Sequence, residues 1–368
     1  MKQADSISDA PTRGKRRVFA LLTVLLAVLV VLVGAELVLR WRYRKIERIT
    51  GVAQWISESG GRDAFRSNGE TYHRVLGWTS LPGLRGDALF PFKLTINNQG
   101  LRATRDYAPS PASGITRIAV FGDSCVWGQW VDNDQTVPAF LETCLPGTEA
   151  LNFGENSYGF GQMMLRLEQQ GVGFNPDHAV FVVMLPSDVV RDRTDLYTHP
   201  KPYFDVDDAG LAVRNVPVPT ATHQPWIFRH CFLAAILFGR LPDTLDRPVQ
   251  ADETIEVSRL ILARVRATCE KHDIGLTVVT MPVARGINDV RRNAPYAPVY
   301  GMMRQAFEET GVDLLDLYGP LERGYLAHGG EWLAPDGHWN APANRQIARW
   351  IADHLARRKS GQKIRAKD

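Results

Sequence analysis

The chain has almost no excess charge of either sign: 43 Lys and Arg face 40 Asp and Glu, a formal net charge of +3 over 368 residues. Part of that surplus sits in basic clusters at 13–17, 40–48 and 357–367, so the region between them is near neutral or acidic. This excludes a nucleic-acid partner, which would require a basic face or stripe. Cysteine is equally scarce. Four cysteines in a chain of this length cannot make a disulfide scaffold, and no metal-ligand spacing joins them. Cys125 reads as a small buried residue, while Cys144, Cys231 and Cys269 leave room for one bridge whose pairing cannot be deduced. There are no internal repeats and no low-complexity tracts, which excludes solenoids and biased linkers.

Long apolar runs are absent with one exception, Val18 to Ala35, which continues through Leu37-Val-Leu39. At about 1.5 Å per residue, the stretch 18–39 is just long enough to cross a bilayer. A retained transmembrane anchor is the expectation; a cleaved signal peptide is the alternative, because Val33-Gly-Ala35 is an acceptable small-residue cleavage pattern. Basic residues flank the run on both sides, so the positive-inside bias nearly cancels. The N-terminal tail is then 1–17.

What is present is alternation. Residues 40–115 are mixed and turn-rich (Leu81-Pro-Gly-Leu-Arg-Gly86, Pro109-Ser-Pro-Ala-Ser-Gly114) and read as a membrane-proximal segment of short strands and loops. From Thr116 onward, short runs rich in Val, Ile, Leu and Phe predict buried strands at Arg117–Phe121, Ala150–Phe153, His178–Leu185, Leu276–Met281 and Asp313–Leu317. Between them, helical spacing marks Val137–Leu145, Gln162–Gln170, Ile255–His272 and Val299–Thr310, and Ala341–Arg357 closes the series. Strand and helix in turn predict an α/β fold over 116–358: a three-layer, doubly wound parallel sheet. Residues 193–253 break the rhythm and read as an insertion serving as a lid, a substrate cap, a membrane-facing surface or a packing subdomain. Residues 359–368 form a basic tail.

Ligands in such sheets bind beyond the carboxyl ends of the strands, and Ser124 lies at one such end, in Arg117-Ile-Ala-Val-Phe-Gly-Asp-Ser124. A serine hydroxyl is a weak nucleophile until an imidazole takes its proton and an acid orients that imidazole. Pro335-Asp-Gly-His-Trp-Asn340 supplies both: His338 as general base and Asp336 as orienting acid. The Ser124 backbone N–H, at the start of an expected helix, would meet a developing oxyanion.

Gly122-Asp-Ser124 resembles the first sequence block of the SGNH, or GDSL-type, esterases and lipases, and Asp336-Gly-His338 resembles their last. Ile96-Asn-Asn-Gln-Gly-Leu-Arg102 and Leu151-Asn-Phe-Gly154 are similar to the membrane-anchored bacterial branch, and the likeness spans about 90–356. The resemblance implies an SGNH-hydrolase-like sheet and a serine hydrolase outside the cytoplasm that needs neither cofactor nor metal. The substrate would be a small-molecule, glycan or lipid ester. The alternatives are an O-acyltransferase acting on envelope polysaccharide and a non-catalytic domain binding a glycan or a partner. In the family, Asp123 is structural rather than part of the triad. The second block usually offers a glycine five residues after its Asn; here that position is Ser157, whose backbone N–H can still serve the oxyanion hole, with Gly154 as rival. The third block usually reads Asn-Asp; here Ser187-Asp188 replaces the amide donor with a hydroxyl, and Ser187 is expected to donate in its place.

Overall fold

Short apolar runs bounded by Gly, Pro or Asp cannot sustain helices, and here they pair into one sheet around which the candidate site is built. The computed structural model describes residues 13–50, 69–86, 90–195, 197, 199–218, 231–237, 250–284, 287 and 296–359. Contacts divide the chain into two units, Met1–Ser59 with His223–Leu241, and Gly60–Thr222 with Pro242–Asp368.

In the first unit, helix α1 runs Arg13–Thr50, past the expected end at residue 39. Its stretch Arg16–Trp41 is long and apolar enough to cross a membrane. Leucines and valines are exposed all round it, so it has no single apolar face of the kind a soluble helix turns to a core. Glu36 pairs with Arg40 at 2.8 Å and accepts the Leu233 N–H at 2.9 Å from the short helix Phe232–Leu237.

In the second unit, β1 (Glu70–His73) and β2 (Gly77–Ser80) form an antiparallel hairpin. The main sheet is built from β3 (Thr116–Phe121), β4 (Thr148–Asn152) and β5 (His178–Leu185). A second hairpin, β6 (Tyr203–Asp207) with β7 (Gly210–Arg214), comes before β8 (Gly275–Pro282) and β9 (Leu314–Asp316) complete the sheet. Its order is β4-β3-β5-β8-β9, and every pairing in it is parallel. The chain starts in the middle, steps outward to β4, then returns past β3 to β5. The switch point therefore falls between β3 and β5, where the crevice of such a sheet opens.

The longer helices of this unit are α2 (Val137–Cys144), α3 (Phe160–Gln169), α4 (Ala251–Lys271), α5 (Tyr296–Glu308), α6 (Tyr318–His328) and α7 (Ala341–Lys359). Alternation along β3 and β5 sends side chains to opposite layers. Ala119, Phe121, Phe181 and Val183 pack with residues of α3, α4 and α5, while Ile118, Val120, Val180 and Val182 pack with α2, α6 and α7. Phe153, Phe121 and Phe181 stack across the sheet at 4.9 and 4.8 Å between centroids.

The three-layer parallel sheet matches the sequence expectation, strand by strand. The insertion is shorter than 193–253, because α4 already begins at Ala251. Part of it is plain packing: Phe204 of β6 is fully buried against Gly161, where a Cβ would meet its ring at 2.2 Å. Of the apolar piece 226–241, only Cys231–Leu237 is described; the other residues, like 1–12 of the tail, 51–68 and the basic 360–368, lie outside the described residues. All four cysteines are free thiols, so the one bridge for which the sequence left room is not formed.

Candidate active site

The turn after β3 is built to present one hydroxyl. A Cβ on Gly122 would lie 2.3 Å from Val126, so only glycine lets the strand close directly onto the short helix Ser124–Trp127. Asp123 caps that helix by accepting the Cys125 N–H at 2.9 Å. Ser124 is thus the first helical residue, and its own N–H has no partner among the described residues.

The partner histidine comes from the other end of the chain. Ala334 N–H donates to His338 O at 2.8 Å and Gly337 N–H to Ala334 O at 2.9 Å, closing a tight turn with Gly337 at φ 91°. Trp339, buried in the layer of α7, pins the turn to the core. The result places His338 Nε2 2.8 Å from Ser124 Oγ and His338 Nδ1 2.8 Å from Asp336 Oδ2. The tautomer that satisfies both contacts carries its proton on Nδ1, leaving Nε2 bare to accept from Ser124. Asp336 Oδ1 also accepts the His338 backbone N–H at 3.1 Å. Partial burial works to raise the Asp336 pKa, but the His338 backbone and ring and the Trp130 indole N–H together pull it below the usual carboxylate value.

The expected oxyanion donors separate. Ser157 sits at φ 64°, the left-handed region that suits the glycine usual at this position. A non-glycine residue there costs about 1–2 kcal/mol, so its neighbours must hold it. They do: Ser80 N–H and Oγ donate to Glu155 at 2.6 and 2.9 Å, and Trp78 Nε1 donates to Asn156 O at 3.0 Å. Tyr158 Oη donates to Trp78 O. The hairpin β1–β2 thereby clamps residues 155–158 from outside, and the Ser157 N–H has no protein partner among the described residues. Gly154 differs. Its N–H donates to Asn152 Oδ1 at 2.9 Å, and it lies so close to the Ser124–Trp127 helix that a Cβ would meet Trp127 N at 2.3 Å. Gly154 is a close-packing glycine whose donor is already engaged.

Ser187 does not stand as a free donor either, contrary to the sequence expectation. Its hydroxyl has one proton, and both neighbours are acceptors in its own turn: Met184 O at 3.0 Å and Asp188 Oδ1 at 3.4 Å. A side chain this short closes back on the strand it follows, where a longer amide would extend beyond it.

Sequence reasoning did not single out Arg191, three residues beyond Asp188. Its Nη1 reaches Asp188 Oδ1 at 2.9 Å, Tyr158 O at 3.1 Å and Asp123 Oδ2 at 3.2 Å. One guanidinium thus ties together the loops after β3, β4 and β5. Burial, then the neighbouring Asp123, push the Asp188 pKa well up despite Arg191. Asp123 Oδ2 also lies 3.4 Å from Ser124 Oγ, a longer and weaker contact than the one to His338. The i, i+3 spacing of Asp188 and Arg191 was visible in the sequence but is too common to select. Among the described residues, no group of three or more His, Cys, Asp or Glu could hold a metal ion.

No protein-family model and no curated protein matches this sequence. Solved structures do resemble it in fold. A lipase/acylhydrolase from Enterococcus faecalis is similar over 66% of this chain and 97% of its own, with 12% identity and a TM-score of 0.39. An acetyl xylan esterase, AlAXEase, is similar over 65% and 99%, with 16% identity and a TM-score of 0.41. A member of the lipolytic protein G-D-S-L family from Veillonella parvula is similar over 66% and 99%, with 13% identity and a TM-score of 0.40.

Proposed function

We propose that this chain is a serine ester hydrolase held to a membrane by α1 and acting outside the cytoplasm, on an ester of a glycan or lipid. One observation carries the catalytic part: Ser124, His338 and Asp336, from segments 214 positions apart, form an unbroken relay with both links at 2.8 Å. Hydroxyl, imidazole and carboxylate in that order are what nucleophilic acyl transfer needs.

In this mechanism Ser124 Oγ bonds to the acyl carbon while its proton passes to His338 Nε2. The carbonyl π electrons move onto oxygen, and that oxyanion meets the backbone N–H groups of Ser124 and Ser157. Asp336 holds the imidazole by Nδ1 and stabilises it while it is cationic. When the carbonyl re-forms, the ester C–O bond breaks and His338 gives its proton to the departing alcohol. Water then attacks the acyl-serine, losing a proton to His338, and the acid leaves as Ser124 regains its hydrogen. The hydroxyl of Ser187 turns to its own strand, so two backbone donors carry the oxyanion. A side-chain donor is typically worth about 10²–10³ in turnover.

The test is hydrolysis of a short-chain p-nitrophenyl ester by the full chain in detergent micelles, with fluorophosphonate labelling alongside. Turnover and labelling that vanish in Ser124→Ala support the assignment, and a gain in Ser187→Asn supports a hole one donor short. A folded parent that neither hydrolyses nor labels overturns the hydrolase in favour of a binding domain. Faster decay of the acyl-enzyme with a sugar hydroxyl than with water alone would make it an acyltransferase.

A further inference from the structure

Each N–H that meets the oxyanion in the mechanism above shares its peptide with a carbonyl oxygen on the opposite side. A peptide group is planar and trans, so whatever holds that oxygen also aims the hydrogen. The Ser124 N–H is paired in this way with Asp123 O, which accepts the N–H groups of Val126 at 3.1 Å and Trp127 at 2.9 Å. The first turn of the short helix therefore aims this donor. The Ser157 N–H is paired with Asn156 O, which lies in a turn ahead of α3 and has no helix to hold it. A side chain takes the place of the helix: Trp78 Nε1 donates to Asn156 O at 3.0 Å.

That bond opposes a specific failure. A serine at φ 64° is strained by about 1–2 kcal/mol. Flipping the Asn156–Ser157 peptide would relieve the strain by carrying φ to a negative value, and it would turn the Ser157 N–H away from the substrate. The flip would also strip a fully buried indole N–H of its acceptor, at a cost of about 1–3 kcal/mol that offsets the gain. Trp78 is itself held fast in β2. Its carbonyl accepts from Tyr158 Oη, and its ring meets Tyr158 edge-on at 5.5 Å and His199 at 5.3 Å between centroids. One residue thus grips the chain on both sides of Ser157. A carbonyl that accepts a hydrogen bond draws electrons towards its oxygen, which makes the N–H of the same peptide a stronger donor.

We propose that Trp78 is a positioning residue for the oxyanion hole: by holding Asn156 O, its indole N–H keeps the Ser157 N–H turned to the substrate carbonyl and strengthens it as a donor. This rests on the hydrolase reading above, but its own claim concerns the orientation of one peptide. It also gives the hairpin β1–β2 a part in the chemistry, although that hairpin precedes the sheet in sequence.

Two replacements isolate the N–H in the full chain in detergent micelles. Trp78→Phe keeps an aromatic ring, and benzothienylalanine at position 78 keeps the indole shape with sulfur in place of N–H. An oxyanion donor is worth about 10²–10³ in turnover, so one that is misaimed but still present should lower kcat for the p-nitrophenyl ester about tenfold. KM should stay unchanged, the pattern of an interaction made in the transition state. The peptide itself is read by NMR. Asn156-Ser157 is the one Asn-Ser step in the chain, so carbonyl-13C asparagine with 15N serine gives a single cross-peak for this amide, which should be displaced in both proteins. If Trp78→Phe does not fold, the benzothienylalanine protein decides. Parental kcat or a parental cross-peak in that protein leaves Trp78 a packing role only and overturns the proposal, provided Ser124→Ala is inactive. If Ser124→Ala hydrolyses the ester as the parent does, the hydrolase reading fails first and takes the proposal with it.

Discussion

The two ends of the parallel sheet carry nearly the same side chains in different order. At the carboxyl ends, Ser124 meets His338, and His338 meets Asp336. At the amino ends, His178 Nε2 lies 2.8 Å from Thr277 Oγ1, Thr277 donates to Asp313 Oδ2, and Asp313 Oδ1 lies 2.9 Å from His354 Nε2. In the first chain the hydroxyl proton points to an imidazole backed by a carboxylate, so it can leave the oxygen and return. In the second the hydroxyl lies between, giving its proton to the carboxylate and accepting from His178. Asp313 is further quenched by Arg358 at 2.8 Å. Thr277 and His354 are buried, so no ester could reach that hydroxyl. Connectivity and access, not the inventory of residues, separate the proposed nucleophile from a structural network.

The largest expected effects test that separation directly. Ser124→Ala and His338→Gln should each lower kcat by at least about 10³-fold, as removal of a relay member does. Thr277→Val should leave kcat within about twofold. Equal losses from both ends would break the comparison. Thr277→Val instead takes a donor from the half-buried Asp313 carboxylate, and a denaturant midpoint corresponding to a loss of about 1–3 kcal/mol is expected. Acidity gives a finer distinction. Burial opposes ionisation of Asp313, but hydrogen bonds from His354 and Thr277, with the charges of His354 and Arg358, hold its pKa down to about 2. A depressed carboxylate contributes stability above its unfolded value near 4, and that contribution is lost as pH falls from there towards 2. Asp313→Asn should therefore flatten unfolding stability across that window, measured by denaturation at stepped pH. The smallest effect concerns backbone strain. Left-handed residues before β5 and β8 are Asn175 and Asp273, which tolerate that region, whereas those near the relay are Trp130 and Ser157. Ser157→Gly should raise stability by about 0.5–1 kcal/mol, while Asp273→Gly should change it little.

The sheet was legible because its strands are short, apolar and sharply bounded, and each expected strand is found within a few residues of its place. Helix α3 starts at Phe160 rather than Gln162, because Gly159 and Gly161, which read as loop, make room for Asp192 and Phe204. Helix α6 escaped detection: Gly319, Pro320 and Gly324 blur its pattern, and Gly324 is there to admit Trp332. The hairpin β6–β7 lies within what read as an insertion without assigned strands. At the candidate site, residue types and spacing pointed to Ser124, Asp336 and His338, which the fold brings together. Ser187 shows the limit, since its identity suggests a donor but the direction of its hydroxyl depends on the turn. Arg191 acts through convergence of distant loops, which spacing along the chain does not encode.

The polypeptide leaves the second unit after Thr222 and rejoins it at Pro242. That excursion falls between β5 and β8, strands paired over eight residues from His178↔Gly275 to Leu185↔Pro282. A cut within it would leave the serine on one fragment and the aspartate–histidine pair on the other, with the longest ladder of the sheet holding the halves together. The chain is thus laid out so that two separately synthesised pieces could bring Ser124, His338 and Asp336 together again by strand pairing alone.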